Sequence, residues 1–456
     1  MQLLLLQILV LCIFTPFIAK ADITYEDAIL SKIIEAYQIQ PHVPERHILG
    51  PKERLGQALF FDPIISGPRQ ISCASCHIRS KGSTDSIRLA VGLGAKGVGN
   101  ERLKSFDALI VPRNALPLFN RGSPDFSVFF WDGRVQTGPK KLNESPLGSN
   151  LPDGFDNLLA VASVFPLAET DEMLGRSEDR GSKLLTYHAE LVSGNVDHDN
   201  FQERTLDVFK NILKRLIGVA AKTPSSEQIQ YKKLFIEAYP NTQFEKLNIT
   251  HVGNALAAYI SAAFELESAP WDKYVLGKTS ELTKNQKLGA TIFFGKGRCV
   301  VCHSGKQFSD FEFHGLAIPQ LRVGKHGSHL DYGRAAASSR SQDRFTFRTP
   351  PLRNVSHTGP WGHNGIFQTI KASIEHHFNP VPLLFQAQKE SPLEAQYAGR
   401  ILGYRSPILA EISPLGPKDI KHLLEFLSAL NSPTVMSDEV ALPTKVPSNN
   451  NEFIKK

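Results

Sequence analysis

The chain has 456 residues, 41% of them apolar and 21% charged. This globular balance excludes disorder or a coiled coil for the bulk of the chain and leaves room for two or three domains. The net charge of +6 is spread along the sequence with no basic block for nucleic acid, and five cysteines are too few for a disulfide scaffold.

Residues 3–18 form an apolar run broken by Gln7, Thr15 and Pro16, and Ala19-Lys20-Ala21 follows. This pattern reads as a signal peptide cleaved after Ala21, which predicts a soluble periplasmic protein. An uncleaved anchor is the alternative; Pro16 and the short run oppose it. Cys12 follows Leu11, whereas a lipoprotein anchor wants a small residue there. Helical periodicity is expected near 25–39, 204–221, 225–239, 248–267, 283–295 and 417–430. Pro417 suits a first-turn position. Long Gly/Pro-rich stretches, such as 92–117 and 315–362, lie between these helices. Gly92-Leu93-Gly94-Ala95-Lys96-Gly97 matches a dinucleotide fingerprint in letters only. It lacks the flanking strand and helix, so a tight loop is expected. From about Ser432 the chain is rich in Pro, Ser, Asn and Lys, and a flexible tail is expected over 432–456.

The four remaining cysteines stand in Cys73-Ala74-Ser75-Cys76-His77 and Cys299-Val300-Val301-Cys302-His303. Both are C-x-x-C-H, the attachment signature of c-type haem. Two thiols three residues apart reach the two vinyl groups of one porphyrin, and the adjacent histidine reaches its iron. A zinc site would need its cysteine pairs about 15–20 residues apart; these lie more than 200 apart. Two redox dithiols would not need a histidine after each pair. Two covalently bound haem c groups are therefore expected.

The flanks repeat. Arg54-Leu55-Gly56-Gln57-Ala58-Leu59-Phe60-Phe61 precedes the first motif, and Lys287-Leu288-Gly289-Ala290-Thr291-Ile292-Phe293-Phe294 the second. Arg113-Asn114 followed by Phe130-Trp131-Asp132-Gly133 parallels Arg353-Asn354 followed by Trp361-Gly362-His363-Asn364-Gly365. The expected fold is mainly α, with two cytochrome c-type haem domains and long irregular loops. The expected boundaries are 1–21 for the signal peptide, 22–190 and 191–431 for the haem domains, and 432–456 for the tail.

From about Leu55 to Leu430 the sequence resembles the bacterial di-haem cytochrome c peroxidase and MauG family. The resemblance rests on the paired haem motifs, Phe130-Trp131-Asp132-Gly133-Arg134, Phe165-Pro166 followed by Glu172-Met173, and Leu352-Arg353-Asn354-Val355 leading to Thr358-Gly359-Pro360. It implies that the N-terminal haem meets peroxide and the C-terminal haem passes electrons, with calcium between the domains. Trp131 then matches the tryptophan between the haems, and Glu172 the acid–base glutamate. Asn114 with the carbonyls of Thr358 and Pro360 matches the calcium ligands. His363 matches a histidine near the haem interface. Trp131 also reads as a core aromatic, and Glu172 as a surface carboxylate.

Departures from the family pattern carry information. Ala162 stands where many relatives place glutamine. No histidine lies between His77 and His188, and no methionine between His77 and Met173, so the first haem is expected to be five-coordinate or water-bound. At the second haem, counting from Thr369 reaches His377, where relatives place methionine or tyrosine. Its neighbour His376 points about 100° away on a helix and is the fallback. Both could instead be surface histidines. The expected axial ligands are His77, His303 and His377.

The resemblance implies a peroxidase that reduces hydrogen peroxide with electrons from a small periplasmic cytochrome c or copper protein. The alternatives are a MauG-like enzyme that oxidises a partner protein and a non-enzymatic electron carrier. Many relatives are homodimers, and no feature of the sequence marks a dimer face.

Overall fold

The computed structural model describes residues 24–454 apart from 46–47, 106–107, 139–142, 176–188, 195, 198, 220–221, 321–329, 391 and 436–441. The expected signal peptide and its cleavage site lie outside the described residues. Among those described, no helix is long and apolar enough to cross a membrane.

Eleven helices are used below: α1 (Tyr25–Ala36), α2 (Pro51–Phe61), α3 (Leu158–Val164), α4 (Phe201–Ile217), α5 (Ser226–Ala238), α6 (Ile249–Phe264), α7 (Lys284–Phe294), α8 (Ile370–Phe378), α9 (Val381–Glu390), α10 (Pro392–Gly403) and α11 (Pro417–Ser428). The strands are two or three residues long and form two small antiparallel sheets. The mainly helical architecture expected from the sequence is what the chain adopts. α9 and α10 were not expected. Pro382 and Pro392 stand in their first turns, where a missing N–H costs nothing, yet in sequence they read as breaks.

Two helix crossings organise the molecule. α2 crosses α6 at Gly56, where a methyl group would collide with the Ala255 carbonyl oxygen. α7 crosses α11 at Gly289, where a methyl group would collide with the His422 carbonyl oxygen. The repeated Leu-Gly is thus a repeated contact: only glycine lets the two backbones come so close. The paired aromatics follow the same plan. Phe60 meets Tyr259 at 5.2 Å between ring centroids, and Phe293 meets Phe426 at 5.2 Å.

The larger apolar cluster runs across the expected 190/191 boundary to Leu266 and also takes in Phe311. α4, α5 and α6 bury their apolar faces with α2 and the first haem motif. α1 crosses over to the other cluster, where Leu30 packs with Trp271 and Phe293. Asp27 anchors it there, 2.7 Å from Lys287 Nζ and accepting from the Tyr274 hydroxyl at 2.7 Å. The flexible-tail expectation is corrected too. Val446 and Phe453 are buried in the first cluster, and the Ser448 N–H donates to Asp62 Oδ2 at 3.1 Å. Two apolar anchors and a backbone hydrogen bond hold a segment whose composition alone reads as disordered.

Candidate active site

Each C-x-x-C-H begins in a single tight turn, Cys73–Ser75 or Cys299–Val301. The His77 N–H donates to Cys73 O at 3.0 Å, and the His303 N–H to Cys299 O at 2.8 Å. His77 Nδ1 lies 3.1 Å from Ser83 O, and His303 Nδ1 lies 3.1 Å from Phe308 O. A carbonyl only accepts, so Nδ1 carries the proton and Nε2 keeps its lone pair for a metal. Burial pushes both imidazoles down to about 4, so they are neutral at pH 7. Burial also pushes the thiols of Cys73, Cys76 and Cys299 up to about 12.

Against the first motif opens a mostly apolar cavity of about 200 Å³, lined by Cys73, Cys76, His77, Ala162, Glu172 and Trp131 among others. Glu172 sits in the wide turn Thr170–Leu174, where the Gly175 N–H returns to Thr170 O at 3.0 Å. Such wide turns recur at functional sites. The turn is clamped from both sides. The Gly67 N–H donates to Met173 O at 2.8 Å, and Gly92 presses on the Asp171 carbonyl with no room for a side chain. The glycine run at 92–97 is therefore a tight loop, as expected, and Gly92 supports the turn that carries Glu172.

The second cavity, of about 210 Å³, is lined by Cys299, Cys302, His303 and His377. Thr369 caps α8 by accepting from the Ala372 N–H at 3.1 Å, which sets the helical phase. His377 Nδ1 lies 2.7 Å from Ser373 O, leaving Nε2 available. His376 turns the other way, with Nε2 2.9 Å from Leu316 O, and does not line the cavity.

Trp131 and Asn114 line both cavities, and Trp131 Nε1 donates to Asn114 O at 3.0 Å. Thr358, Pro360 and His363 line the second cavity beside Asn114. The Asn114 amide donates to Ile87 O at 2.9 Å, which leaves Oδ1 as its remaining acceptor. His363 stacks on Phe347 at 3.6 Å, and its buried Nδ1 has no hydrogen-bond partner among the described residues. The structure thus gathers every sequence-predicted site residue around two adjoining cavities.

Sequence reasoning missed a buried ionic network around Trp131. Arg113 reaches Asp132 at 2.7 Å and grips Asp331 at 2.7 and 2.8 Å. Arg134 bridges Asp132 at 3.3 Å and Glu169 at 3.2 Å. Burial alone would raise the Asp331 carboxyl, but the Arg113 guanidinium holds it at about 2. The arginines stand in the Arg-Asn and Trp-Asp-Gly-Arg motifs; their partners could not be read from spacing.

Two apolar cavities, each bordered by a paired-cysteine turn and a neutral, oriented imidazole, fit two c-type haems. The model for di-haem cytochrome c peroxidases matches residues 51–280. The chain belongs to the di-haem cytochrome c peroxidase family. As a member it is a peroxidase-type oxidoreductase with two haem c groups. It is 28% identical over 360 residues to the methylamine utilization protein MauG of Methylorubrum extorquens, covering 79% of this chain and 78% of that one. It is 26% identical over 382 residues to the cytochrome c551 peroxidase of Pseudomonas aeruginosa, covering 82% and 84%. Among solved structures, a MauG-like protein associated with microbial copper homeostasis matches 89% of this chain and 97% of its own, with a TM-score of 0.57 at 19% identity. The diheme peroxidase BthA of Burkholderia thailandensis matches 86% and 88%, with a TM-score of 0.54 at 20% identity. At these identities the structural likeness speaks for the fold alone.

Proposed function

We propose that this family member is a periplasmic peroxidase that reduces hydrogen peroxide to two waters. A small cytochrome c or cupredoxin would supply the two electrons, and two protons are consumed. The reading rests on one asymmetry. Glu172 shares the first cavity with His77, where no second histidine lines the wall among the described residues, whereas His377 shares the second cavity with His303.

Bound haem supplies an iron that takes peroxide in the first cavity and an iron that relays electrons in the second. His77 and His303, each with Nδ1 engaged by a carbonyl, would ligate the two irons through Nε2, and His377 would be a further ligand to the second. The Glu172 carboxylate accepts the proton of the nearer peroxide oxygen and returns it to the departing one, which leaves as water. Ala162, on the same cavity wall, offers no side-chain hydrogen bond, and Glu172 is the carboxylate that lines it. Trp131 stands between the cavities as an aromatic stepping point. The Asn114 Oδ1, with the carbonyls of Thr358 and Pro360, offers hard oxygen donors suited to calcium.

A second reading has one observation in its favour. His377 in place of methionine lowers the potential of the second haem and matches a high-potential donor poorly. That suits a MauG-like enzyme that oxidises a partner protein. Steady-state turnover with reduced cytochrome c and peroxide separates the two. Brisk turnover is expected; an oxidised state that persists for minutes with little turnover would overturn the peroxidase reading in favour of the second.

A further inference from the structure

Several buried arginines in this protein have acidic partners. Arg113 pairs with Asp132 and Asp331, Arg134 with Asp132 and Glu169, Arg353 with Asp272, and Arg215 with Glu190. Arg102 has none, but its Nε, Nη1 and Nη2 all donate to the carbonyls of Val91, Gly92 and Gly97; Arg121 and Arg348 are less well served. They are 4% and 1% exposed, and neither forms an ion pair with a carboxylate among the described residues. Arg121 donates from Nε to Pro117 O at 2.9 Å and lies 4.8 Å from the centre of the Phe126 ring. Arg348 donates to Phe130 O at 3.0 Å and Thr349 O at 3.2 Å, and its Nη2 is buried with no partner among the described residues. The acid whose charge reaches Arg348 is Asp132, already held by Arg113 and Arg134. The two cations also repel each other.

Burying an unpaired charge is expensive, and two adjacent ones more so. Their position supplies the missing anions. Arg121 lines both cavities, and Arg348 lines the second. Each haem c carries two propionate carboxylates, flat acceptors that fit a guanidinium fork.

We propose that Arg121 and Arg348 form a cationic seat for haem propionates, with Arg121 shared by both haems and Arg348 serving the His303 haem. The proposal rests on the two-haem assignment and deepens it. Arg348 also ties this seat to the relay, since its backbone N–H donates to Trp131 O at 2.9 Å. A propionate bound there would fix the second porphyrin against the loop that carries Trp131. The seat makes each iron easier to reduce, because a buried positive charge nearby disfavours the ferric state.

Potentiometry of the haem-loaded protein tests this without reference to turnover. At a fixed applied potential, Arg121→Gln should raise the ferric-to-ferrous ratio of both haems by about tenfold, the Coulomb effect of one charge roughly 12 Å away at an effective dielectric of about 20. Arg348→Gln should do so for the His303 haem alone. Lysine at either position should stay within about threefold of wild type. Unchanged ratios in folded, haem-loaded glutamine variants would overturn the seat. So would a shift that follows the added salt's anion, which would mark a mobile ion in place of propionate. If the glutamine variants do not fold, the lysine variants decide. They keep the charge and lose the fork, so the propionate bending band in resonance Raman should move; an unmoved band would overturn the proposal. A protein that holds two haems but turns over no peroxide would refute the proposed function and leave these outcomes intact.

Discussion

The two halves share an attachment scaffold and differ on the opposite wall of each cavity. In both, a glycine-notched crossing buries a pair of phenylalanines, a tight turn presents two cysteines, and a carbonyl orients the following histidine. Beyond the proposed iron positions the likeness ends. The first half places a carboxylate on a wide turn; the second places a histidine on α8. In the proposed function, the scaffold holds a haem and the far wall sets what it does. An open iron beside a carboxylate suits peroxide chemistry, whereas a doubly capped iron suits electron transfer.

The comparison breaks most sharply at Glu172. Glu172→Gln keeps the shape and removes the base, and should slow the reaction with peroxide by about 10²–10⁴-fold in stopped-flow measurements. The same protein should retain the spectrum of the His303 haem, because Glu172 does not line the second cavity. His377→Ala is the reciprocal test. It should convert the second haem from low spin to high spin, while His376→Ala should not, since His376 is engaged with Leu316 O.

The shared scaffold can be tested by equal damage. Gly56→Ala and Gly289→Ala each force a methyl group onto a backbone carbonyl. Each should lower stability by about 1–3 kcal/mol in denaturant titration. A large loss at one site and none at the other would mean the crossings are not equivalent.

The smallest effect concerns how α1 is fastened to the second half. Burial would raise the Asp27 carboxyl, but hydrogen bonds from Lys287, Thr24 and Tyr274 hold it at about 2, against an ordinary value of 3.8. A depressed carboxyl stabilises the fold above its unfolded value and loses that contribution as pH falls through its folded one. Acid titration of wild type should therefore show a loss between about pH 4 and pH 2 that Asp27→Asn lacks.

Much of this site was legible in the sequence because haem attachment is local chemistry. Five consecutive residues supply both thiols and the histidine that follows them, and the family spacing counted from Thr369 points to His377, with helical phase allowing only one of His376 and His377 to face the cavity. What was not legible depends on distant partners. The docking of α1 on Trp271, the burial of Val446 and Phe453, and the acids that hold Arg113 and Arg134 join segments far apart in sequence. Periodicity reports which face of a helix is apolar, not which neighbour covers it. For that reason α4, α5 and α6 were expected in the second half, whereas they pack on the first.

The most direct test of the central claim is low-temperature electron paramagnetic resonance of the resting, fully ferric protein. The account predicts one high-spin signal from the His77 haem and one low-spin signal from the His303 haem, in equal amounts. Two low-spin signals at rest would contradict it.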